Sequence, residues 1–282
     1  MKSIATFLKV RYREILIWLM PVFAGTIISS VQLEQIFSQR SFIFLLGSIF
    51  LVTHVIIFND WGEFTKHNNI SPEENKILFA ASGSFLIASL LMFALIGFRV
   101  VAIAVFAASF SVLYSHPRIY LRSSAFAGSF IHLGAGTVLF MIGYYLNGIF
   151  NPTSLLTGFL FGLLLTAGHL IHQIIDIKED KARNTLTAAI KFGKNRVYMA
   201  SFAIFTLAAG YSLILFIILP DSPMLFFLTS AAYPPHAFCF LKCLKGNLND
   251  SDIKTYQSEY RAIYLIAGTV WLIFWIATKV SA

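Results

Sequence analysis

Charge is scarce in this chain. Of its 282 residues only 12% are Asp, Glu, Lys or Arg, while 57% are hydrophobic. Soluble domains carry roughly a quarter charged residues, so a water-soluble globular protein is excluded, and so is a polar disordered chain. Cysteine is scarcer still. Cys239 and Cys243 stand one helical turn apart near the end of an apolar stretch, which rules out a disulfide framework and leaves packing as their role. No Pro- or Ser-rich tract marks a linker, and the alternating pattern of a membrane barrel is missing. The formal net charge of +8 would suit a nucleic acid, but its distribution does not, and no nucleic-acid partner is expected.

Long apolar runs are abundant. Nine segments are expected to cross a bilayer: 15–33, 42–58, 77–97, 100–114, 125–146, 155–175, 197–219, 224–241 and 262–277. A bilayer core needs about 20 helical residues, and only helices satisfy their backbone groups without a barrel. The expected fold is therefore an all-α polytopic membrane protein with one domain over 1–282. A basic start before an apolar run resembles a signal peptide. Glu14 against the run and the lack of a small-x-small cleavage site favour a retained helix, with Pro21 and Gly25 as a kink or close contact. Nine spans place alternate connections on opposite sides. One side collects 18 of the 21 Lys and Arg, and the other has only Arg40, Arg99 and Lys279. This bias puts the N-terminus and the charged loops in the cytoplasm and the C-terminus across the membrane; in a bacterium that membrane is the inner one. The spacing of the charged loops, four spans apart, also suggests a duplicated four-helix unit.

Two charged interruptions carry chemistry. After Ile175 come Asp176, Lys178, Glu179, Asp180, Lys181 and Arg183 within eight positions. Asp176 and Asp180 share one face of a helix, and His172 and His169 extend that face back into the span. Two carboxylates there can hold a hard divalent cation through oxygen, and the adjacent cations suit a phosphate. The same residues also fit an ordinary solvated loop. The second interruption, Phe58 to His67, reads FNDWGEFTKH. It spaces Asn59, Glu63 and His67 at intervals of four, with Asp60 adjacent. Two oxygen-rich faces at membrane mouths could share metal over one diphosphate. The stretch with Asp250, Asp252, Lys254 and Glu259 reads as a solvated mixed-charge loop. His54 and His132 also lie within spans, where an interhelical hydrogen bond is the ordinary role.

These motifs resemble the UbiA-type intramembrane prenyltransferases, over nearly the whole chain. The family's NDxxDxxxD is matched by Asn59 and Asp60, with Glu63 as acid for acid and His67 where the family has a carboxylate. Its second acidic run, followed by a basic residue, Thr and Gly, resembles Asp176, Asp180, Arg183, Thr185, Leu186 and Gly193. A Tyr-Ser-x-Pro run followed by bases looks like Tyr114, Ser115, Pro117, Arg118 and Arg122, whereas the family's Arg-Pro-x-x-x-Gly stretch is missing after the first motif.

The resemblance implies a nine-helix bundle with a central cavity open to the cytoplasm. It implies Mg²⁺-dependent transfer of a polyprenyl group from a prenyl diphosphate to a hydrophobic or aromatic acceptor, as in quinone or lipid biosynthesis. Asn59, Asp60, Glu63, His67, Asp176 and Asp180 would be metal ligands, and Asp60, Glu63, Asp176, Asp180 and Tyr114 catalytic. Arg118, Arg122, Lys178, Lys181 and Arg183 would bind the diphosphate. The expected partners are the donor, the acceptor and membrane lipids. Imidazole is a poor ligand for Mg²⁺, so His67 sets this chain apart. Alternatives keep the fold with a non-aromatic acceptor, terpene cyclisation, or isoprenoid binding without turnover. A transporter is disfavoured, because no span has a broken, charge-bearing middle.

Overall fold

The computed structural model describes residues 4–67, 70–219 and 223–280. The described chain is all helix and turn, and nine of its helical segments are long and apolar enough to cross a membrane. The sequence places all nine, with some shifted ends. α1 (Ile4–Ser29) and the short α2 (Leu33–Ile36) lead into α3 (Gln39–Lys66), α4 (Pro72–Ala94) and α5 (Phe98–Ser115). A 3₁₀ turn at Leu121–Ser123 precedes α6 (Ala127–Tyr144) and α7 (Pro152–Ile175). After the short α8 (Ile177–Ala182) and α9 (Ala188–Phe192) come α10 (Lys194–Ile218), α11 (Pro223–Ala231), α12 (Tyr233–Lys245) and α13 (Asp250–Val280).

Two of these differ from the expectation. The eighth span is two helices, α11 and α12, divided just before Pro234 and Pro235. Proline has no N–H to donate and clashes with the preceding turn, so the pair starts a helix more readily than it continues one. The last span begins at Asp250, twelve residues early, so the expected mixed-charge loop is helix. Asn249 initiates it by accepting the Asp252 N–H at 2.8 Å, and Ile253, Tyr256 and Tyr260 bury one side of it.

The chain forms two compact units. One comprises residues 1–121 and 134–158, the other 122–133 and 159–282. In the first, α3 packs against α1, α4 and α5. α3 has 28 residues, about 42 Å at ~1.5 Å per residue, against a hydrocarbon core of about 30 Å. Its last two turns, which carry Asn59 to Lys66, therefore extend past the apolar stretch. Buried His54 ties three helices together. Its Nδ1 donates to the Ser82 carbonyl at 3.0 Å, and its Nε2 lies 3.4 Å from Ser111 Oγ. Small residues set the helix spacing. A Cβ on Gly143 would lie 2.0 Å from the Val22 carbonyl oxygen, and one on Gly25 2.2 Å from that of Phe140. Gly143→Ala should therefore cost about 1–3 kcal/mol, seen as a lower melting temperature in detergent. Gly83→Ala, with no atom within 4 Å of the new methyl, should leave it unchanged or slightly higher.

In the second unit the core gathers Ile171, Ile174, Tyr198, Phe205, Phe240 and Tyr256. Tyr198 stacks on Phe240 at 4.7 Å. His236 bridges α12 to α13 through Tyr256 Oη at 2.6 Å and Tyr264 Oη at 3.3 Å. Such polar contacts between membrane helices contribute about 0.6–2 kcal/mol each.

Candidate functional site: two acidic helix ends

In the first unit, the end of α3 buries its acids. Asp60 is 2% exposed and Glu63 6%. A buried carboxylate needs compensation, and Asp60 has it from α1. Arg11 Nη2 lies 2.9 and 3.3 Å from the two Asp60 oxygens, while Arg11 Nη1 reaches Glu14 at 2.5 Å. Arg11 belongs to the basic start of the chain, and its pairing across 49 residues leaves no local signal in the sequence. Asn59 Oδ1 accepts a hydrogen bond from Ser115 Oγ at 2.8 Å. Gly62 makes this approach of α3 and α5 possible, since a Cβ there would lie 2.0 Å from the Ser115 carbonyl oxygen.

His67 closes α3, donating its N–H to the Glu63 carbonyl, and its Nε2 lies 3.4 Å from Tyr120 Oη. Tyr120 is buried and adopts a left-handed backbone with φ 44°. Lys66 lies 5.8 Å from that ring and donates to the Pro117 carbonyl at 3.1 Å. His67 thus packs into the turn after α5. Tyr114, in the last turn of α5, is half-buried, and Arg118, in the turn that follows, is exposed.

The second unit carries the other motif at the α7–α8 junction. Asp176 breaks the dihedral pattern (φ −87°, ψ 2°), yet the hydrogen bonds run through, from Asp176 N to His172 O at 3.0 Å and from Asp180 N to Asp176 O at 2.9 Å. The one-turn spacing expected from sequence holds, but the two acids have different surroundings. Asp180 is 2% exposed, with Arg122 Nη2 3.4 Å from its Oδ1. Asp176 is partly exposed beside His172, at 3.7 Å. Burial pushes the Asp180 carboxyl up to about 6. Arg122 opposes that rise and Asp176 adds to it. A bound cation would favour the ionised form.

The predicted cations divide. Arg122 reaches the acidic pair. Lys178 binds Asp250 at 2.6 Å, Arg183 lies 3.6 Å from Glu179, and Lys181 is exposed. The histidine face divides as well. His172 stays with Asp176, but His169 is buried and stacks on His132 of α6 with ring centroids 3.5 Å apart. Gln173, which the sequence reading passed over, sits between motif and stack. It donates to His169 Nε2 at 2.7 Å and accepts from the Ala188 N–H at 3.1 Å.

Among the described residues no three His, Cys, Asp or Glu side chains are gathered into a ready metal cluster. The donor chemistry nevertheless suits Mg²⁺. Asn59, Asp60, Glu63, Asp176 and Asp180 offer oxygen alone, the ligand a hard cation prefers.

Among the described residues, nine helical segments long and apolar enough to cross a membrane, with buried acids at two helix ends, define an intramembrane protein that brings charge to the edge of an apolar interior. The chain belongs to the UbiA prenyltransferase family, whose sequence model matches residues 18–268, and its class of activity is prenyl transfer. Among solved structures it is similar to a digeranylgeranylglyceryl phosphate synthase in membranes, at 18% identity and TM-score 0.69, covering 98% of this chain and 100% of that one. It is also similar to a UbiA homolog from Archaeoglobus fulgidus, at 13% identity and TM-score 0.71, covering 97% and 98%. The same homolog bound to GPP and Mg²⁺ matches at 13% identity and TM-score 0.65, covering 91% and 97%. At these identities the likeness is one of fold. A comparison with curated proteins finds no match.

Proposed function

We propose that this protein transfers a prenyl group from a prenyl diphosphate to a hydrophobic acceptor in a Mg²⁺-dependent reaction, and that both acidic helix ends serve that reaction. The observation that carries this reading is Asp180, a carboxylate buried at the end of a membrane helix beside Arg122. It occupies the family's second acidic motif. The A. fulgidus homolog, bound in its own structures to GPP or DMAPP with Mg²⁺, supports the choice of donor.

Asn59, Asp60, Glu63, Asp176 and Asp180 would hold Mg²⁺, which supplies positive charge against the diphosphate oxygens. Arg122 is placed to hold a diphosphate oxygen when a metal draws on Asp180. Arg118 and Lys181 reach solvent and can contribute, whereas Lys178 and Arg183 must first leave Asp250 and Glu179. Tyr114, half-buried at the end of α5, is proposed to face the reacting carbon, where an aromatic ring steadies an allylic cation. The apolar helix faces would sheathe the isoprenoid and keep water from it. An aromatic acceptor of the quinone-precursor type is the acceptor proposed.

A second reading is an isoprenoid-binding relative that does not turn its ligand over. It is favoured by Arg11 on Asp60 and by His67 in place of an acid. Diphosphate release separates the two. The purified protein with geranyl diphosphate should release diphosphate only when Mg²⁺ is present, and ligand binding without release would select the second reading.

The orientation is proposed to be that of the basic bias, with the N-terminus and both acidic ends cytoplasmic. Asn69, the natural position for a reporter cysteine, lies outside the described residues. Glu73 is exposed at the start of α4, so Glu73→Cys in a cysteine-free background replaces it. It should react with a membrane-impermeant maleimide only after the cytoplasmic face is opened. Labelling of intact cells would reverse the orientation.

A further inference from the structure

The last two turns of α3, Asn59 to Lys66, lie beyond the apolar stretch of that helix. Apolar packing thins out there, and polar contacts from neighbouring helices take hold of it. Arg11 of α1 meets Asp60, and Ser115 of α5 donates to Asn59. Both of these contacts occupy oxygens that the proposed metal needs. A third contact comes from α4 and does not.

A capping box fixes where α4 begins. Ser71 Oγ accepts the Glu74 N–H at 3.2 Å, Glu74 Oε2 accepts the Ser71 N–H at 3.2 Å, and Pro72 stands at the first helical position. Asn75, at the end of that first turn, is thereby set against α3. Trp61 Nε1 donates to Asn75 Oδ1 at 2.5 Å, and Thr65 Oγ1 donates to the same atom at 3.2 Å. The indole N–H can only donate, which marks that Asn75 atom as the amide oxygen. Trp61 and Thr65 are half-buried, and the Trp61 ring packs with its centroid 4.9 Å from those of Phe58 and Phe79. At 3.6 residues per turn, Trp61 and Thr65 share one face of α3, and Asn59 and Glu63 lie on the opposite face.

Resting on the proposed Mg²⁺-dependent prenyl transfer, we propose that Asn75 is a positioning residue for the first motif, whose amide oxygen grips α3 from behind and holds Asn59 and Glu63 at the rotation from which they meet the metal. The grip uses no ligand, so it persists when Mg²⁺ draws Asp60 away from Arg11. The tolerance is narrow. A rotation of about 10° moves a group about 5 Å from the helix axis by about 1 Å, whereas metal–ligand distances hold to about 0.2 Å. Asn75 touches neither donor nor acceptor in this account. Its expected signature is a raised metal requirement.

The test uses the full-length protein in detergent with geranyl diphosphate and Mg²⁺. Asn75→Leu removes the acceptor at similar volume. It should raise the Mg²⁺ concentration for half-maximal diphosphate release about tenfold or more, the scale of losing a residue that orients metal ligands. Asn75→Asp keeps an oxygen for both donors and should stay within about threefold of the wild type. Trp61→Phe combined with Thr65→Val removes both donors while keeping the ring and the branch. That pair should reproduce the Asn75→Leu shift, and adding Asn75→Leu to it should shift little further. Melting gives a readout without turnover. The Mg²⁺ concentration that half-saturates the rise in melting temperature, with geranyl diphosphate present, should move in parallel. An Asn75→Leu protein with unchanged Mg²⁺ dependence would overturn the proposal, as would a shift in Asn75→Asp as large as that in Asn75→Leu. If Asn75→Leu does not fold, the Trp61→Phe, Thr65→Val protein decides in its place, and an unshifted Mg²⁺ dependence there overturns the proposal. A wild type stabilised by Mg²⁺ that releases no diphosphate defeats the transfer reading alone, and the melting titration then decides for Asn75. A wild type that does neither overturns both.

Discussion

Asp180→Asn should leave a protein that inserts and melts normally but transfers prenyl groups on the order of 10³-fold more slowly, the scale of losing a main electrostatic stabiliser of the transition state. The fold should survive because of this acid's setting. Burial raises the Asp180 carboxyl from 3.8 to about 6, so the folded state favours the protonated form more than the unfolded chain does. Its ionisation therefore costs stability progressively as pH rises from about 4 through about 6, and the penalty is complete above that. At pH 7 the neutral, isosteric amide escapes that penalty while losing the ion pair with Arg122. The variant should thus melt at or above the wild-type temperature at pH 7, and its melting should depend less on pH between 4 and 6. Mg²⁺ should also protect the wild type against heat more than it protects the variant. Asp176→Asn should impair transfer as well. Wild-type turnover from both variants would remove the second motif from the reaction.

The architecture was legible because a membrane makes the code coarse. Apolar runs of the right length give the spans, and composition suffices to place nine of them. The boundaries that failed did so for local reasons. In α13 the charges at Asp250, Asp252, Lys254 and Glu259 hid an apolar face at Ile253, Tyr256 and Tyr260 that has helical spacing. That spacing, rather than the charge, marks where the helix starts. The break before Pro234 was legible from the proline pair itself. In the motifs, residue identities were readable but pairings were not. Nothing local shows that Arg11 rather than Lys66 would meet Asp60, that Ser115 would engage Asn59, or that His169 would turn to His132 instead of continuing the face of Asp176. Such choices depend on which helices pack together. A single sequence records that only through features such as Gly62, whose missing side chain brings α3 to α5.

Glu63→Gln should be the most damaging change in the first motif, with transfer reduced on the order of 10²-fold or more. Asp60 is held by Arg11, and Asn59 is engaged by Ser115. Glu63 is the ligand proposed to lead in holding a metal at this helix end, with Asp60 joining once Arg11 yields. Glu63 is buried, at 6% exposure, and one methylene longer than the aspartate of the family pattern, so it can reach a cation from a helix set slightly farther back. His67 leans on Tyr120, and its imidazole is a poor partner for Mg²⁺. His67→Ala should accordingly cost only about twofold, the scale of a change outside the key contacts. His67→Asp restores the family's carboxylate and should match the wild type or exceed it, with less Mg²⁺ needed for half-maximal rate. Arg11→Gln makes the complementary case. Freeing Asp60 should lower the Mg²⁺ requirement. The comparison that decides is the order of damage, read as kcat and as Mg²⁺ dependence at saturating donor. If His67→Ala hurts as much as Glu63→Gln and His67→Asp does not rescue, the imidazole has a role of its own and the oxygen-ligand account of this helix end is wrong. If neither position matters in an active protein, the first motif lies outside the reaction.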